Sequence, residues 1–238
     1  MNKSDQSAVL SVDGINTYYD ESHVIQDVSF AVEEATIVTI IGRNGVGKTT
    51  ILKSIIGTTK PRNGEVKLCS KQIGNLEPYE TRRLGVSLVP EERRIFENLS
   101  VEENLRVAAN PAQSKTIQAY EQFPKLKERR DQIAGSLSGG EQQMLAIARG
   151  LVGPETKLLM LDEPTEGLAP QIQENVKDII NTLRDGGITI LLVEQNAEIA
   201  LSLADKVYIM QPGEIVYRDN TGDISPNDKV VEDHMGIN

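Results

Sequence analysis

The segment that decides the fold is residues 36–50, TIVTIIGRNGVGKTT. Its first six residues form an apolar run typical of a buried strand, and the pattern Gly-x-x-x-x-Gly-Lys-Thr follows directly. Glycines in this pattern let the backbone wrap closely around phosphate oxygens, with its N–H groups and the start of the next helix facing the negative charge. We therefore predict a phosphate-binding loop that consists of Gly42, Arg43, Asn44, Gly45, Val46, Gly47, Lys48, Thr49 and Thr50.

Four side chains in two segments have predicted tasks at this loop. Lys48 is expected to reach the β- and γ-phosphates of a nucleotide, and the Thr49 hydroxyl is expected to bind Mg²⁺. Asp162 and Glu163 directly follow a second apolar run, and open α/β sheets hold their ligands at the carboxyl ends of such strands. We expect Asp162 to hold Mg²⁺ through its waters, and Glu163 to orient or deprotonate the attacking water.

A second anion-binding feature is predicted at residues 137–143, LSGGEQQ. Ser138, Gly139 and Gly140 would supply backbone N–H groups at the start of a helix over residues 141–151. One nucleotide needs only one such cradle in a chain. The second cradle therefore suggests a surface that closes on nucleotide held by another subunit.

Composition limits the classes of protein that this chain can represent. Its 238 residues suffice for one sizeable core but not for two nucleotide-hydrolysing domains. The net charge of −10 argues against non-specific binding to nucleic acid or to anionic membranes, because both require a basic face. The phosphate site must then be positive locally.

The sequence also bears on compartment and redox chemistry. No apolar run approaches the roughly 20 residues that span a bilayer, and the polar start MNKSDQS lacks the apolar region of a signal peptide. We expect a cytoplasmic protein that reaches a membrane only through a partner. Cys69 is the only cysteine and is expected to be an inert packing residue, and the two widely separated histidines suggest no metal-ligand cluster.

The remaining pattern predicts an α/β protein. Residues 8–32 alternate apolar and polar side chains, as the strands of an antiparallel layer with one solvated face do. Continuous apolar runs at 157–161 and 188–193 suit parallel strands covered by helices on both faces. Residues 207–217 predict a hairpin at the far edge of that sheet.

Two segments differ from this pattern. The segment from Glu91 to about Ala134 is charged and helix-patterned, with a capping box beginning at Ser100, and predicts a helical subdomain inserted into the core. Beyond Asp219 the chain is polar, so we expect it to be loosely ordered.

The phosphate loop, the LSGGEQQ stretch and Leu161-Asp162-Glu163, in this order, resemble the ATP-binding cassette (ABC) ATPases over nearly the whole chain. The resemblance implies an α/β fold of the P-loop NTPase (RecA-like) class, with a parallel-sheet core, an antiparallel β layer and an inserted α-helical signature subdomain. It implies a single nucleotide-binding domain over residues 1–238. The core with its β layer would occupy approximately 1–90 and 154–238, and the helical subdomain approximately 91–153.

The resemblance also implies ligands and a partner. ATP and Mg²⁺ would bind between two cassettes that sandwich two ATP molecules head to tail. Each cassette would pair its phosphate loop with its partner's signature, which here is Ser138, Gly139, Gly140 and Glu141. Tyr19 falls where an aromatic residue of the family stacks on adenine, whereas from the residues alone a tyrosine pair near a strand edge is more often packing.

Three departures from the family pattern narrow the subfamily. Glu91 replaces the glutamine that touches Mg²⁺ and the membrane partner, Gln195 replaces the switch histidine near the γ-phosphate, and Ala169 replaces an aspartate. The departures resemble one of the two ATPase subunits of importers for branched-chain amino acids and for urea or short amides. Glu163 and Gln195 are thus the implied catalytic residues, and Thr49, Asp162 and Glu91 the implied Mg²⁺ site.

The function implied by the resemblance is ATP hydrolysis that energises solute uptake. The partners would be a second ABC ATPase subunit, identical or different, integral membrane permease subunits and, indirectly, a solute-binding protein, with no nucleic acid. The chain would lie at the cytoplasmic face of the cell membrane, held there by the permease. The alternatives are an ABC exporter ATPase, a soluble ABC regulatory ATPase and a P-loop kinase. A kinase would not need the LSGGEQQ stretch.

Overall fold

The computed structural model describes residues 8–109 and 116–235. The strands in these residues are β1 (Ala8–Tyr19), β2 (Ser22–Glu33), β3 (Ile37–Ile41), β4 (Asn63–Leu68), β5 (Lys71–Gln72), β6 (Val86–Val89), β7 (Leu158–Asp162), β8 (Thr189–Glu194), β9 (Lys206–Gln211) and β10 (Glu214–Asn220). The helices are α1 (Lys48–Ile56), α2 (Pro78–Arg83), α3 (Val101–Ala108), α4 (Thr116–Gln122), α5 (Pro124–Glu128), α6 (Gly139–Leu151), α7 (Pro170–Asp185), α8 (Ala197–Leu203) and α9 (Lys229–Met235).

The strands form two sheets. The larger sheet has the order β10-β9-β3-β8-β7-β6, and all its strands are parallel except β10, which pairs with β9 as an antiparallel hairpin. The smaller sheet has the order β2-β1-β4-β5 and is antiparallel. This confirms the predicted α/β fold with a parallel core and an antiparallel layer.

Burial explains why the central strands are apolar throughout. Every residue of β3, β7 and β8 is buried, because side chains on both faces of the parallel sheet are covered. One face packs with α1 and the antiparallel sheet, in a cluster that includes Leu10, Ile51 and Met160. The other face packs with α6, α7 and α8, in a cluster that includes Leu145, Ile180 and Leu192.

Helices α3 to α6 lie between β6 and β7 in the chain. Helix α3 begins with the predicted capping box, in which Ser100 and Glu103 bond each other's backbone N–H. The helix expected over residues 141–151 begins two residues earlier, at Gly139, because Ser138 is its N-cap. No helix in the described part of the chain is both long and apolar enough to cross a membrane.

Two expectations were wrong. The segment after Asp219 is not loosely ordered throughout: α9 buries Val231 and Met235 against β9 and Ile41. These two apolar residues stand four apart and so share one face of a helix. Cys69 is not a packing residue either; it is exposed in the turn between β4 and β5, with a φ of 46°.

Candidate active site

The phosphate loop connects the carboxyl end of β3 to the start of α1. Gly47 is the N-cap of α1 and has a φ of 116°, which lies in the region that favours glycine. A Cβ on Gly47 would also lie 2.8 Å from Ile25 Cδ1. The loop therefore keeps both its left-handed turn and its close packing on β2 only with glycine at this position. Arg43, Asn44 and Gly45 are exposed at its tip.

Lys48 lies at the centre of the site. Only 4% of the residue is exposed, and its Nζ donates to the backbone oxygens of Gly42 at 2.7 Å and Arg43 at 3.2 Å. The same Nζ forms an ion pair with Glu163 Oε1 at 3.0 Å. The predicted phosphate-binding cation and the predicted water-activating carboxylate are thus in direct contact.

Asp162 is the last residue of β7 and contacts the start of α1. Thr49 Oγ1 donates to Asp162 Oδ1 at 3.2 Å. Burial, with the charges of Glu163 and Glu91, raises the pKa of Asp162 from its ordinary 3.8 to about 6, against the opposing effects of Thr49 and Lys48. A hydroxyl and a carboxylate are hard oxygen donors, which suit Mg²⁺ bound together with phosphate oxygens.

Glu163 follows β7 in an unusual backbone conformation. Its φ is 47°, in the left-handed region, which costs a non-glycine residue on the order of 1–3 kcal/mol. Its backbone N–H donates to Val193 O at 2.9 Å, which ties it to β8. The surrounding structure therefore holds Glu163 in an orientation that the isolated chain would disfavour.

Glu91 lines the cleft around Lys48, whereas Gln195 follows β8 and is not among the described residues that line this cleft. Gln195 is exposed directly after β8, and its backbone N–H donates to Glu194 Oε2 at 3.2 Å. Glu91 is exposed after β6 and lines a cleft of about 320 Å³ together with Gly47, Lys48, Thr49 and Glu163. Thr50, buried at the start of α1, lines the same cleft.

Sequence reasoning missed two residues beside this cluster. Glu194, with 2% of its surface exposed, accepts a hydrogen bond from Thr165 Oγ1 at 2.7 Å. Burial and the nearby charge of Glu163 raise the pKa of Glu194. The position of Glu194 at the end of a continuous apolar strand is the signal that could have identified this residue. A carboxylate at such a position must be buried or face a ligand.

The aromatic pair after the first strand has two different environments. Tyr18 stacks on His23, with ring centroids 4.1 Å apart and planes 7° from parallel. Tyr19 is 41% exposed, and its hydroxyl accepts from Thr59 Oγ1 at 3.5 Å. Tyr18 is thus the packing residue of the pair, and Tyr19 presents the free ring that stacking on adenine requires.

The signature residues lie apart from this cleft. Ser138 Oγ and N–H both donate to Glu141 Oε2, at 2.8 and 2.9 Å, and Glu141 also pairs with Arg129 at 2.7 Å. A side chain on Gly140 would collide with Ile172 of α7. Gly139 is exposed at the first turn of α6. Glu141 therefore organises the cap, and within the described residues Ser138 to Glu141 do not line the cleft that contains Lys48.

The raised pKa of Asp162 predicts a pH dependence of stability. A carboxyl whose pKa is higher in the folded state contributes stability below its unfolded pKa and loses that contribution as the pH rises through about 6. In EDTA and without nucleotide, the wild type should therefore lose free energy of unfolding relative to Asp162→Asn between pH 5 and pH 7. Urea unfolding of both chains measures this difference, with the exposed Asp178→Asn as the matched control. If the free energy of unfolding of the wild type minus that of Asp162→Asn stays constant or rises from pH 5 to pH 7, the prediction is wrong.

The comparisons with known proteins agree with this geometry. A model of the ABC transporter family matches residues 25–166. The chain is 42% identical, over 96% of its own length and 100% of the relative's, to the high-affinity branched-chain amino acid transport ATP-binding protein BraG of Pseudomonas aeruginosa. It is 38% identical, over 94% and 97% of the two lengths, to the probable branched-chain amino acid transport ATP-binding protein LivF of Archaeoglobus fulgidus.

A solved structure gives the same result for the fold. The crystal structure of a nucleotide-free ATP-binding cassette from an ABC transporter matches with a TM-score of 0.86 and 28% identity, covering 97% of this chain and 99% of that chain. These matches confirm the resemblance seen in the motifs: the chain belongs to the ABC transporter family and is an ATPase.

Proposed function

We propose that this ATPase energises the uptake of branched-chain amino acids through a separate membrane permease. The observation that carries the chemistry is the contact of Lys48 with Glu163 beside the Thr49–Asp162 pair. The two relatives named for branched-chain amino acid transport support this solute class over urea or short amides.

The chemistry follows from what each group can offer. The loop N–H groups and Lys48 bind the β- and γ-phosphates, because phosphate oxygens replace the backbone carbonyls and Glu163 as acceptors for Nζ. Thr49 and Asp162 would hold Mg²⁺, which would supply positive charge against the negative charge that develops on the phosphates. Glu163 is then released to orient and deprotonate the attacking water. Tyr19 stacks on adenine at the outer end of the site.

Glu91 links the nucleotide cleft to a second surface. It lines the cleft with Thr49 and also lines a groove of about 690 Å³ that is bounded by α2, β6 and α6. We propose that the permease docks in this groove. Because Glu91, like Thr49, lines both spaces, a change at the phosphates can reach the permease through Glu91. This docking would hold the chain at the cytoplasmic face of the membrane, and the permease would receive solute from a binding protein at the opposite face.

The separation of the signature from the phosphate loop supports a shared site. Helix α6 starts at an exposed cap, and that cap does not line the chain's own nucleotide cleft in the described residues. We therefore propose that Ser138 and Gly139 bind the γ-phosphate of ATP held by a second cassette, in a homo- or heterodimer. ATP would close the dimer, and hydrolysis would reopen it.

The proposed function is tested by uptake into proteoliposomes that carry the assembled transporter, with ATP and Mg²⁺ inside on the side of the ATPase and the binding protein outside. Labelled leucine should accumulate. Glu163→Gln should still bind ATP but should lower uptake and ATP hydrolysis about 100-fold or more, because it removes the general base. Glu214→Gln is the control, because it replaces a carboxylate with an amide in the same way at an exposed position on β10.

Other outcomes would revise the proposal. Accumulation of labelled urea without leucine would change the solute class, and ATP-dependent loss of solute from the vesicles would indicate an exporter. Unchanged hydrolysis by Glu163→Gln would contradict the assignment of the base.

The shared site predicts the effect of Ser138→Arg. ATP should still bind to the chain's own loop, but the bulky cation should prevent ATP-dependent dimer closure and suppress hydrolysis. Ser100→Arg is a matched control, since it breaks the same kind of capping box on α3. Sedimentation of both variants with ATP, in a Glu163→Gln background, measures closure. An isolated monomer that hydrolyses ATP at the full rate of the transporter would refute a shared site.

Gln195 predicts a specific pH behaviour. A glutamine amide does not titrate near neutrality but still offers a donor to phosphate and an acceptor to water, whereas a histidine titrates near pH 6.5. Gln195→Ala should slow hydrolysis and retain ATP binding, and Gln195→His should add a pH dependence near neutrality. A pH series of single-turnover hydrolysis measures both effects. Wild-type rates for Gln195→Ala at every pH would show that the side chain takes no part.

A further inference from the structure

A buried carboxylate joins two segments of the active site that are far apart in the chain. Glu194 Oε1 accepts from the Thr165 hydroxyl at 2.7 Å, and Oε2 accepts from the backbone N–H of Gln195 at 3.2 Å. Thr165 is 2% exposed, as is Glu194. Burial of a carboxyl group costs free energy, because the group loses its hydrogen bonds to water. Hydrogen bonds to both oxygens offset this cost only while the two donors keep their positions.

The partners of Glu194 belong to the segments that follow two neighbouring strands. Thr165 stands two residues after Glu163 in the connection from β7 to α7, and its backbone oxygen also accepts from Gln173 Nε2 of α7 at 3.2 Å. Glu163 is itself tied to the preceding residue of β8, through its N–H and Val193 O at 2.9 Å. Two consecutive residues of β8 thus hold the segment over residues 163–165.

The backbone of Glu163 needs such support. Its φ of 47° is unfavourable for a residue with a side chain, and such a conformation persists only where the surroundings fix it. If Thr165 were released, the turn could relax and carry the Glu163 carboxylate away from Lys48. Neither the loop N–H groups nor the Thr49–Asp162 contact depends on Thr165, so nucleotide binding would be retained.

We propose that Glu194 is a positioning residue for ATP hydrolysis. It holds Glu163 in place through the Thr165 hydroxyl, and it holds the turn between β8 and α8 through the Gln195 N–H. This inference rests on the role given to Glu163 under the proposed function. It requires that loss of the Glu194–Thr165 bond lowers kcat and leaves the KM for ATP nearly unchanged, because only the positioning of the base is affected.

The test compares variants of the full chain in the assembled transporter. Thr165→Val removes the hydroxyl, Thr165→Ser keeps it, and Glu194→Gln leaves one amide oxygen where two acceptors are needed. Thr189→Val is the matched control: Thr189 is 1% exposed at the opposite end of β8, and its hydroxyl accepts the Ala35 N–H at 3.0 Å. Steady-state kcat and KM for ATP are measured for each variant, together with the urea midpoint of unfolding.

Thr165→Val and Glu194→Gln should each lower kcat on the order of tenfold to a hundredfold, as a displaced catalytic group does. Their KM should stay within about twofold of the wild type, and Thr165→Ser should restore kcat. The loss of kcat in the double variant should be smaller than the product of the two single losses, since both changes affect the Glu194–Thr165 bond. Thr189→Val should lower the unfolding midpoint to a similar extent but keep the wild-type kcat.

Equal kcat values for Thr165→Val and Thr189→Val at equal loss of stability would overturn the inference. A rise in KM with unchanged kcat would also overturn it. Should Glu194→Gln not fold, the Thr165→Val and Thr165→Ser pair still decides the question. Glu163→Gln is measured in the same assay. If Glu163→Gln turns over ATP at the wild-type rate, both the role of Glu163 and this inference are wrong. If Glu163→Gln is slow but Thr165→Val turns over normally, only this inference is wrong.

Discussion

The site depends on the buried ion pair between Lys48 and Glu163. Removing two charges from water costs several kcal/mol for each ion, and their attraction repays this only with good geometry and further hydrogen bonds. The backbone oxygens of Gly42 and Arg43 supply those bonds to Lys48, and they are available only because the loop turns back on itself at the end of β3. Binding of this one ammonium group therefore fixes the positions of the loop glycines, the end of β3 and the start of α1 relative to each other.

Strand order explains how a distant part of the chain reaches this pair. In the larger sheet β8 lies between β3 and β7, with Ile41 opposite Glu194 and Asp162 opposite Val193. The end of β8 therefore lies between the strand that leads into the phosphate loop and the strand that leads into the acidic segment. A short side chain there would leave a gap, and an apolar one would leave the Thr165 hydroxyl and the Gln195 N–H without their acceptor.

The sequence predicted the parts of the site that local pattern determines. Lys48, Thr49, Asp162 and Glu163 could be placed together because the carboxyl ends of parallel strands meet at one edge. The Glu194–Thr165 bond could not be predicted, since it requires knowing that β8 inserts between the other two strands. The same limit applies to α9, because its two buried residues could be recognised as core residues only once β9 was known to lie beside them. It also applies to Cys69, because the burial of a single residue cannot be predicted from the spacing of apolar residues.

The balance of charge around Lys48 bears on how the chain can bind nucleotide at all. Asp162, Glu163 and Glu194 are buried within the same strand ends, and Glu91 faces the cleft from β6. Burial, followed by repulsion from Glu163, raises the pKa of Asp162 and of Glu194, so the site resists holding its full negative charge. A phosphate group adds still more negative charge. The attraction must therefore come from Lys48 and from the backbone N–H dipoles, and the Mg²⁺ proposed to bind at Thr49 and Asp162 would add to it. A net charge of −10 is compatible with phosphate binding because this attraction is local.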